Sequence, residues 1–181
     1  GARAMTSAAE RFEREVVRPR QGRTLIVGSK VYAEKEDRRR RYPDAVGVDM
    51  LSGDGVDFVV NLEEPLPKAL GLFDHVECLS VLEHSRRPWK LAANLQRLLR
   101  DGGTFHVSAP FVWRVHGYPS DYFRFTREGV RSLFDRIAWV RLAYAHVELK
   151  HNDLQDAVEL PEPGGHPYFA RCEVVGFGVK R

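Results

Sequence analysis

Three groups of residues in this chain have types and spacings suited to chemistry. The first is the turn Gly28-Ser29, directly after the apolar run Leu25-Ile26-Val27. It is answered by Asp49 at the end of a second apolar run, Ala45-Val46-Gly47-Val48. A glycine turn after one strand, with an acid closing the next strand roughly 20 residues on, is how a nucleoside is cradled in an α/β sheet. Glycine lets the backbone approach a ligand, and a carboxylate accepts hydrogen bonds from both ribose hydroxyls. The second group is Glu83-His84, which follows the apolar run ending Leu79-Ser80-Val81-Leu82. The third is the aromatic-rich stretch from Ala109 to Thr126, holding Trp113, His116, Tyr118, Asp121, Tyr122 and Arg124. Its aromatics suit stacking an acceptor or shielding a reactive group, and a histidine can take a proton from a hydroxyl. Asp121 and Arg124 are expected to pair and stiffen the loop, whereas His116 stays open between a catalytic and a structural role. Glu83 is expected to fix its loop by accepting backbone amides near the next helix start, with His84 as scaffold more than base.

The elements that must position these groups are legible in the hydrophobic pattern. A charged helix is predicted over Ala8–Val17. Strands are predicted over Thr24–Val27, Ala45–Asp49, Asp57–Val60, Phe73–Ser80 and Thr104–Pro110. A short helix over Ala33–Arg41 is stopped by Pro43. The clearest helix begins at Pro88, carries Trp89, Ala92, Leu95, Leu98 and Leu99 on one face, and is halted by Gly102-Gly103. Thr126 caps a helix through Phe134. Two apolar runs, Trp139–Leu149 and Arg171–Lys180, close the chain as a hairpin around a long polar loop from His151 to Pro167. Alternating strands and helices imply a parallel sheet with right-handed crossovers.

Composition narrows the class further. With 181 residues the chain is long enough for one domain with a real core, since chains of about 150 residues bury roughly 70% of their surface. Residues 1–21 are expected to combine a tag remnant, Gly1 to Ala4 before Met5, with the first helix, and residues 22–181 to form one domain. No run approaches the ~18 apolar residues that span a bilayer, and a cytoplasmic protein without a membrane partner is expected. Cys78 and Cys172 each sit in an apolar run and are expected as buried free thiols. The net charge of +3 and the cluster Arg38–Arg41 raise the question of nucleic acid. Four adjacent residues spread around a helix, however, so a solvated helix end is the preferred reading. His75, His106 and His146 fall within strands and are expected to be packing or surface residues. No residues have metal-ligand spacing along the chain, so no metal is expected, and nucleophile-elbow and phosphate-loop motifs are absent.

Taken together, the motifs resemble those of the class I S-adenosylmethionine-dependent methyltransferases, in the small-molecule methyltransferase-domain group. The resemblance is carried by Val27-Gly28-Ser29, Gly47-Val48-Asp49, Asn61-Leu62, Ser80-Val81-Leu82-Glu83-His84 and Leu99-Arg100-Asp101-Gly102-Gly103 over about residues 22–135. The run His116-x-x-Pro119-x-Asp121-Tyr122-x-Arg124-Phe125-Thr126 marks a subfamily. The resemblance implies a Rossmann-like, seven-stranded, mostly parallel α/β sheet with an antiparallel terminal hairpin and helices on both faces. It implies S-adenosyl-L-methionine as cofactor, with Asp49 on the ribose and Asn61 and Leu62 near the adenine. Gly28 and the backbone near Leu79-Ser80 would line the methionine portion. The full cofactor set is Gly28, Ser29, Lys30, Tyr32, Asp49, Met50, Asn61, Leu62, Ser80 and Glu83. The acceptor set is His84, Trp113, His116, Tyr118, Asp121, Tyr122 and Arg124, with His116 as catalytic residue. One departure stands out: Lys30 and Tyr32 occupy positions where the family has further glycines, so a differently shaped loop is expected, with side-chain contacts from those two residues. The implied activity is in-line methyl transfer to oxygen or nitrogen of a small molecule. A macromolecular acceptor, or a non-catalytic module of the same fold, is the alternative. A nucleic-acid partner is not expected, and a homodimer that completes the pocket is left open.

Overall fold

The computed structural model describes residues 8–33, 35–117, 120–146, 154–155 and 172–181. Its strands are β1 (Arg23–Val27), β2 (Asp44–Asp49), β3 (Phe58–Val59), β4 (Phe73–Leu79), β5 (Leu99–Val112), β6 (Ile137–His146), β7 (Leu154–Gln155) and β8 (Cys172–Lys180). Three helices accompany them, α1 (Ala8–Val16), α2 (Pro88–Leu98) and α3 (Arg127–Leu133). The strands form one sheet in the order β3-β2-β1-β4-β5-β8-β6-β7. Strands β1 to β5 pair in parallel, and β8 lies antiparallel between β5 and β6. The expected seven strands and terminal hairpin are present, and the two-residue β7 extends the sheet beyond β6.

Helices cover both faces, and the alternation of side chains along the strands shows how. On one face Leu25, Val27, Val76, Cys78, Phe105, Val107, Leu142 and Val174 join α2 residues Leu91, Ala92, Leu95 and Leu98 in the main core. Neighbouring residues Ala143, Ala145, Val175 and Phe177 point the other way and receive Ala8 and Phe12 of α1. Full burial of a side chain like Phe12 stabilises by about 2–3 kcal/mol, enough to dock a nine-residue helix that would not persist alone. Both cysteines are buried and free.

The expected helix over Ala33–Arg41 is replaced by a single 3₁₀ turn, Arg38–Arg41. The segment offers no apolar stripe to lay on the sheet. A polar cluster fills that place. Glu77 of β4 is 1% exposed and accepts from Arg38 through Nε and, at 2.7 Å, through Nη2. Tyr42 Oη donates to the same carboxylate at 2.8 Å, and Glu13 of α1 accepts from Arg38 and Arg41. Arg39 pairs with Asp37 and Asp57, and Arg41 with Glu36. Three of the four arginines, Arg38, Arg39 and Arg41, are therefore bound to carboxylates, and Arg40 is left as the exposed, solvated helix end that the spacing suggested.

Two smaller expectations also change. Helix α2 ends at Leu98, and Leu99 already pairs with Phe73 in the sheet, so Gly102-Gly103 forms a bend inside β5 and does not stop the helix. Gly102 adopts φ +74°, open to glycine at little cost. Trp89 is 56% exposed in the first turn of α2, ahead of the residues that reach the core. Beyond Leu154–Gln155, the loop predicted over His151–Pro167 lies outside the described residues, as does the end of the run Trp139–Leu149.

Candidate active site

The order of the sheet fixes where a ligand can enter. The direction in which successive strands are added reverses between β1 and β4, which lie side by side and parallel, and their carboxyl ends open a crevice at this switch point. A cleft of about 1080 Å³ occupies it. Gly28 follows β1 with φ +66°, and a Cβ there would stand 2.7 Å from Val81 Cγ2. Glycine is thus required both by the turn and by the close approach of the loop after β4. Ser80, at the tip of β4, adopts φ +53°, a conformation that a side chain disfavours and that recurs at functional turns.

The loop after Gly28 takes a course of its own. Ser29 N–H donates to Val48 O at 3.1 Å, Lys30 N–H to Asp49 Oδ2 at 3.1 Å, and Val31 N–H to Asp54 O at 2.8 Å. Lys30 Nζ sits 5.3 Å from the Tyr32 ring centroid. The loop is stitched to β2 and to the turn before β3, which replaces the glycine-rich cradle. Asp49 Oδ1 also accepts from Leu51 N–H at 3.0 Å. Each carboxylate oxygen thus holds one backbone amide and keeps a further lone pair, the acceptor set that a ribose diol requires. Asn61 Oδ1 accepts from Glu63 N–H at 3.0 Å, leaving its Nδ2 as the free donor.

Gly28, Ser29, Lys30, Tyr32, Asp49, Met50, Asn61, Leu62 and Ser80 all line this one cleft, with His84 and His116. Trp113, Asp121, Tyr122 and Arg124 do not line it, and Tyr118 lies outside the described residues. Arg124 grips Asp121 with two hydrogen bonds, at 2.5 and 2.8 Å, and caps the carbonyls of Trp113 and Arg114. This pairing, ahead of burial, holds the Asp121 carboxyl well below the usual carboxylate range. Asp121 in turn accepts from His116 N–H at 2.8 Å, so the Asp121–Arg124 pair fixes the loop that presents His116.

Glu83 departs from expectation. It does not line the cleft and does not tie down the following loop. That task falls to Glu63, which accepts from Ser85 Oγ at 2.8 Å, Arg86 N–H at 2.9 Å and Arg87 Nε at 3.0 Å. Sequence reasoning passed over Glu63 because it sits in a proline-bounded connection with no motif spacing. Glu83 is 1% exposed, and its Oε1 lies 3.7 Å from both His84 Nε2 and His116 Nε2. Burial pushes its carboxyl up to about 7. Deeper in the sheet, His75 is pushed down to about 4 by burial and bonds to Thr104, a packing role as expected. His106 is likewise buried, stacked against Phe12.

Residues 29–107 match a family of known proteins described as a methyltransferase domain. None of the curated proteins matches the chain. Among solved structures, 1,6-didemethyltoxoflavin-N1-methyltransferase of Burkholderia thailandensis, with its acceptor and S-adenosylhomocysteine bound, superposes with a TM-score of 0.61. It is 16% identical over 96% of this chain and 76% of its own. The N-methyltransferase NodS of Bradyrhizobium japonicum, in complex with S-adenosyl-L-homocysteine, gives 0.56 at 9% identity over 87% and 77%. A complex of the Haloferax volcanii Trm112 methyltransferase activator with a methyltransferase gives 0.60 at 15% identity over 96% and 88%.

Proposed function

We propose that this chain is a class I S-adenosylmethionine-dependent methyltransferase that methylates an oxygen or nitrogen of a small molecule held at the His84–His116 end of its cleft. The observation that carries this reading is the convergence on one cleft of a carboxylate with two open lone pairs, Asp49, and two histidines beyond the β4 tip. When bound, S-adenosylmethionine supplies a methyl group on an already electrophilic sulfonium. The chain's work is therefore alignment and exclusion of water. Asp49 accepts from the ribose hydroxyls, and Asn61 Nδ2 donates toward the adenine. Gly28 and the bent backbone at Ser80 leave room for the methionine portion. His84 and His116 face the acceptor, and the Asp121–Arg124 pair holds His116 in place.

An acceptor small enough for the cleft also fits the arginines. Arg38, Arg39 and Arg41 are each bound to carboxylates, so they offer little to a phosphate backbone. A panel of hydroxyl- and amine-bearing small molecules, read by release of S-adenosylhomocysteine, tests the proposal. Turnover of at least one supports it, and turnover only with RNA or protein, falling steeply with salt, contradicts it. With an acceptor in hand, His116→Ala is expected to lower kcat by about 10²–10⁴-fold and leave affinity for S-adenosylhomocysteine unchanged. Undiminished kcat would remove His116 from the acceptor end.

A further inference from the structure

Glu83, His84 and His116 are scattered in sequence but meet in the fold, and their hydrogen bonds determine what they can bind. His84 Nδ1 lies 2.7 Å from the carbonyl of Ser120. His116 Nδ1 lies 3.1 Å from the carbonyl of Arg114 and 3.2 Å from Asp121 Oδ2. Carbonyl and carboxylate oxygens only accept, so each ring in its neutral form carries its proton on Nδ1 and presents a lone pair at Nε2. Both Nε2 atoms face Glu83 Oε1 at 3.7 Å, with the rings edge-to-face at 5.0 Å. Three lone-pair atoms thus lie within 4.8 Å of one another. The Glu83 carboxylate is almost fully buried, and its Oε2 has no hydrogen-bond partner among the described residues. A buried carboxylate facing two lone pairs calls for a proton or a cation between them, and a metal ion can satisfy all three atoms at once.

We propose that Glu83, His84 and His116 bind one divalent transition-metal ion at the acceptor end of the cleft. The proposal rests on reading that end as the acceptor pocket. Two ligands about 2.0–2.1 Å from a tetrahedral ion stand roughly 3.4 Å apart, so the observed 3.7 Å spacings close with small side-chain rotations. The surroundings have the outer shell of such a site. Each imidazole sets its other nitrogen against a fixed acceptor, and for His116 that is the Arg114 carbonyl at 3.1 Å, with the Arg124-locked Asp121 carboxylate 3.2 Å away. Two imidazoles with one carboxylate favour zinc, iron, cobalt or manganese over magnesium and calcium, whose preference is for oxygen. Three protein ligands leave a coordination position open, and His84 and His116 line the cleft, so that position faces the acceptor. The site thereby selects acceptors with a hydroxyl or similar oxygen that can enter it.

The test is calorimetric titration of the chelator-treated full chain with Zn²⁺ and Mn²⁺, and absorption spectroscopy with Co²⁺. One ion per chain is expected. His84→Ala and His116→Ala should each weaken it beyond the roughly 10–100-fold that Asp121→Asn, acting through His116, is expected to cost. S-adenosylhomocysteine affinity in the same variants shows that they are folded. Asp49→Ala should lose the nucleoside and keep the ion, so failure of the metal site and failure of the donor site are told apart. Absence of stoichiometric binding up to about 1 mM ion overturns the proposal. So does binding that both histidine variants leave unchanged, which places the ion elsewhere.

Discussion

Asp49→Ala is expected to weaken binding of S-adenosylhomocysteine by about 3 kcal/mol, on the order of a hundredfold in Kd. Two charge-assisted hydrogen bonds to the ribose are lost, each worth about 1.5–3 kcal/mol, with partial recovery by water. The substitution also frees the amides of Lys30 and Leu51, which both bond to this carboxylate, so the loop that shapes the cleft loosens as well. Asp49→Asn should fall between, because one oxygen acceptor survives while the other position becomes a donor. Thermal stability should change little, since Asp49 lies at the rim and outside the main core. Calorimetry on the three proteins checks this; equal affinities would remove Asp49 from the nucleoside site.

Arg38→Ala is expected to be the most destabilising single change near the cleft, at about 3–5 kcal/mol. Glu77 is buried in β4, and Arg38 is the arginine in direct hydrogen bond with it, through both Nε and Nη2. Burial by itself would raise the Glu77 carboxyl, but the hydrogen bonds and charge of Arg38 outweigh it and hold the group far below its ordinary value. Without Arg38 a buried carboxylate is left uncompensated, and at roughly 2–4 °C per kcal/mol the melting temperature should drop by about 6–20 °C at neutral pH. The pH dependence follows in sign. In the wild type the folded value is depressed, so the contribution is full above the unfolded value of about 4.3 and disappears as pH falls below it. In Arg38→Ala burial raises the folded value, so the penalty exists at high pH and fades on protonation. The two melting curves should converge toward acid pH. Replacing both partners, Arg38→Met with Glu77→Leu, should recover most of the loss, because no buried charge remains. A melting temperature for Arg38→Ala within a degree or two of the wild type would show that the pair contributes nothing.

Much of the framework was legible because periodicity and turn chemistry agree. The strands of the parallel half, the cap at Thr126, whose hydroxyl accepts from Gly129 N–H at 3.0 Å, and the closing hairpin follow from local pattern. The segment after β1 did not, because its cohesion is non-local. Arg38 is held by Glu13, 25 residues before it, and by Glu77, 39 after it, and no window across residues 33–41 contains either. The same limit hid the trio of Glu83, His84 and His116. Their spacing matches no ligand motif, and a loop pinned by Asp121 and Arg124 brings His116 back over the β4 tip. Asp49 and Gly28 were readable because a strand end and a positive-φ turn leave direct marks in sequence. Glu83 was placed in the right loop with the wrong partners, since sequence gives its position but not the direction of its side chain.

A crystal structure of the chain with S-adenosylhomocysteine tests the central claim most directly. The ribose hydroxyls are expected about 2.6–3.2 Å from the two Asp49 oxygens, with the sulfur directed toward His84 and His116 across the Ser80 turn. Density for the nucleoside anywhere other than between Gly28, Asp49 and Asn61 would contradict the account.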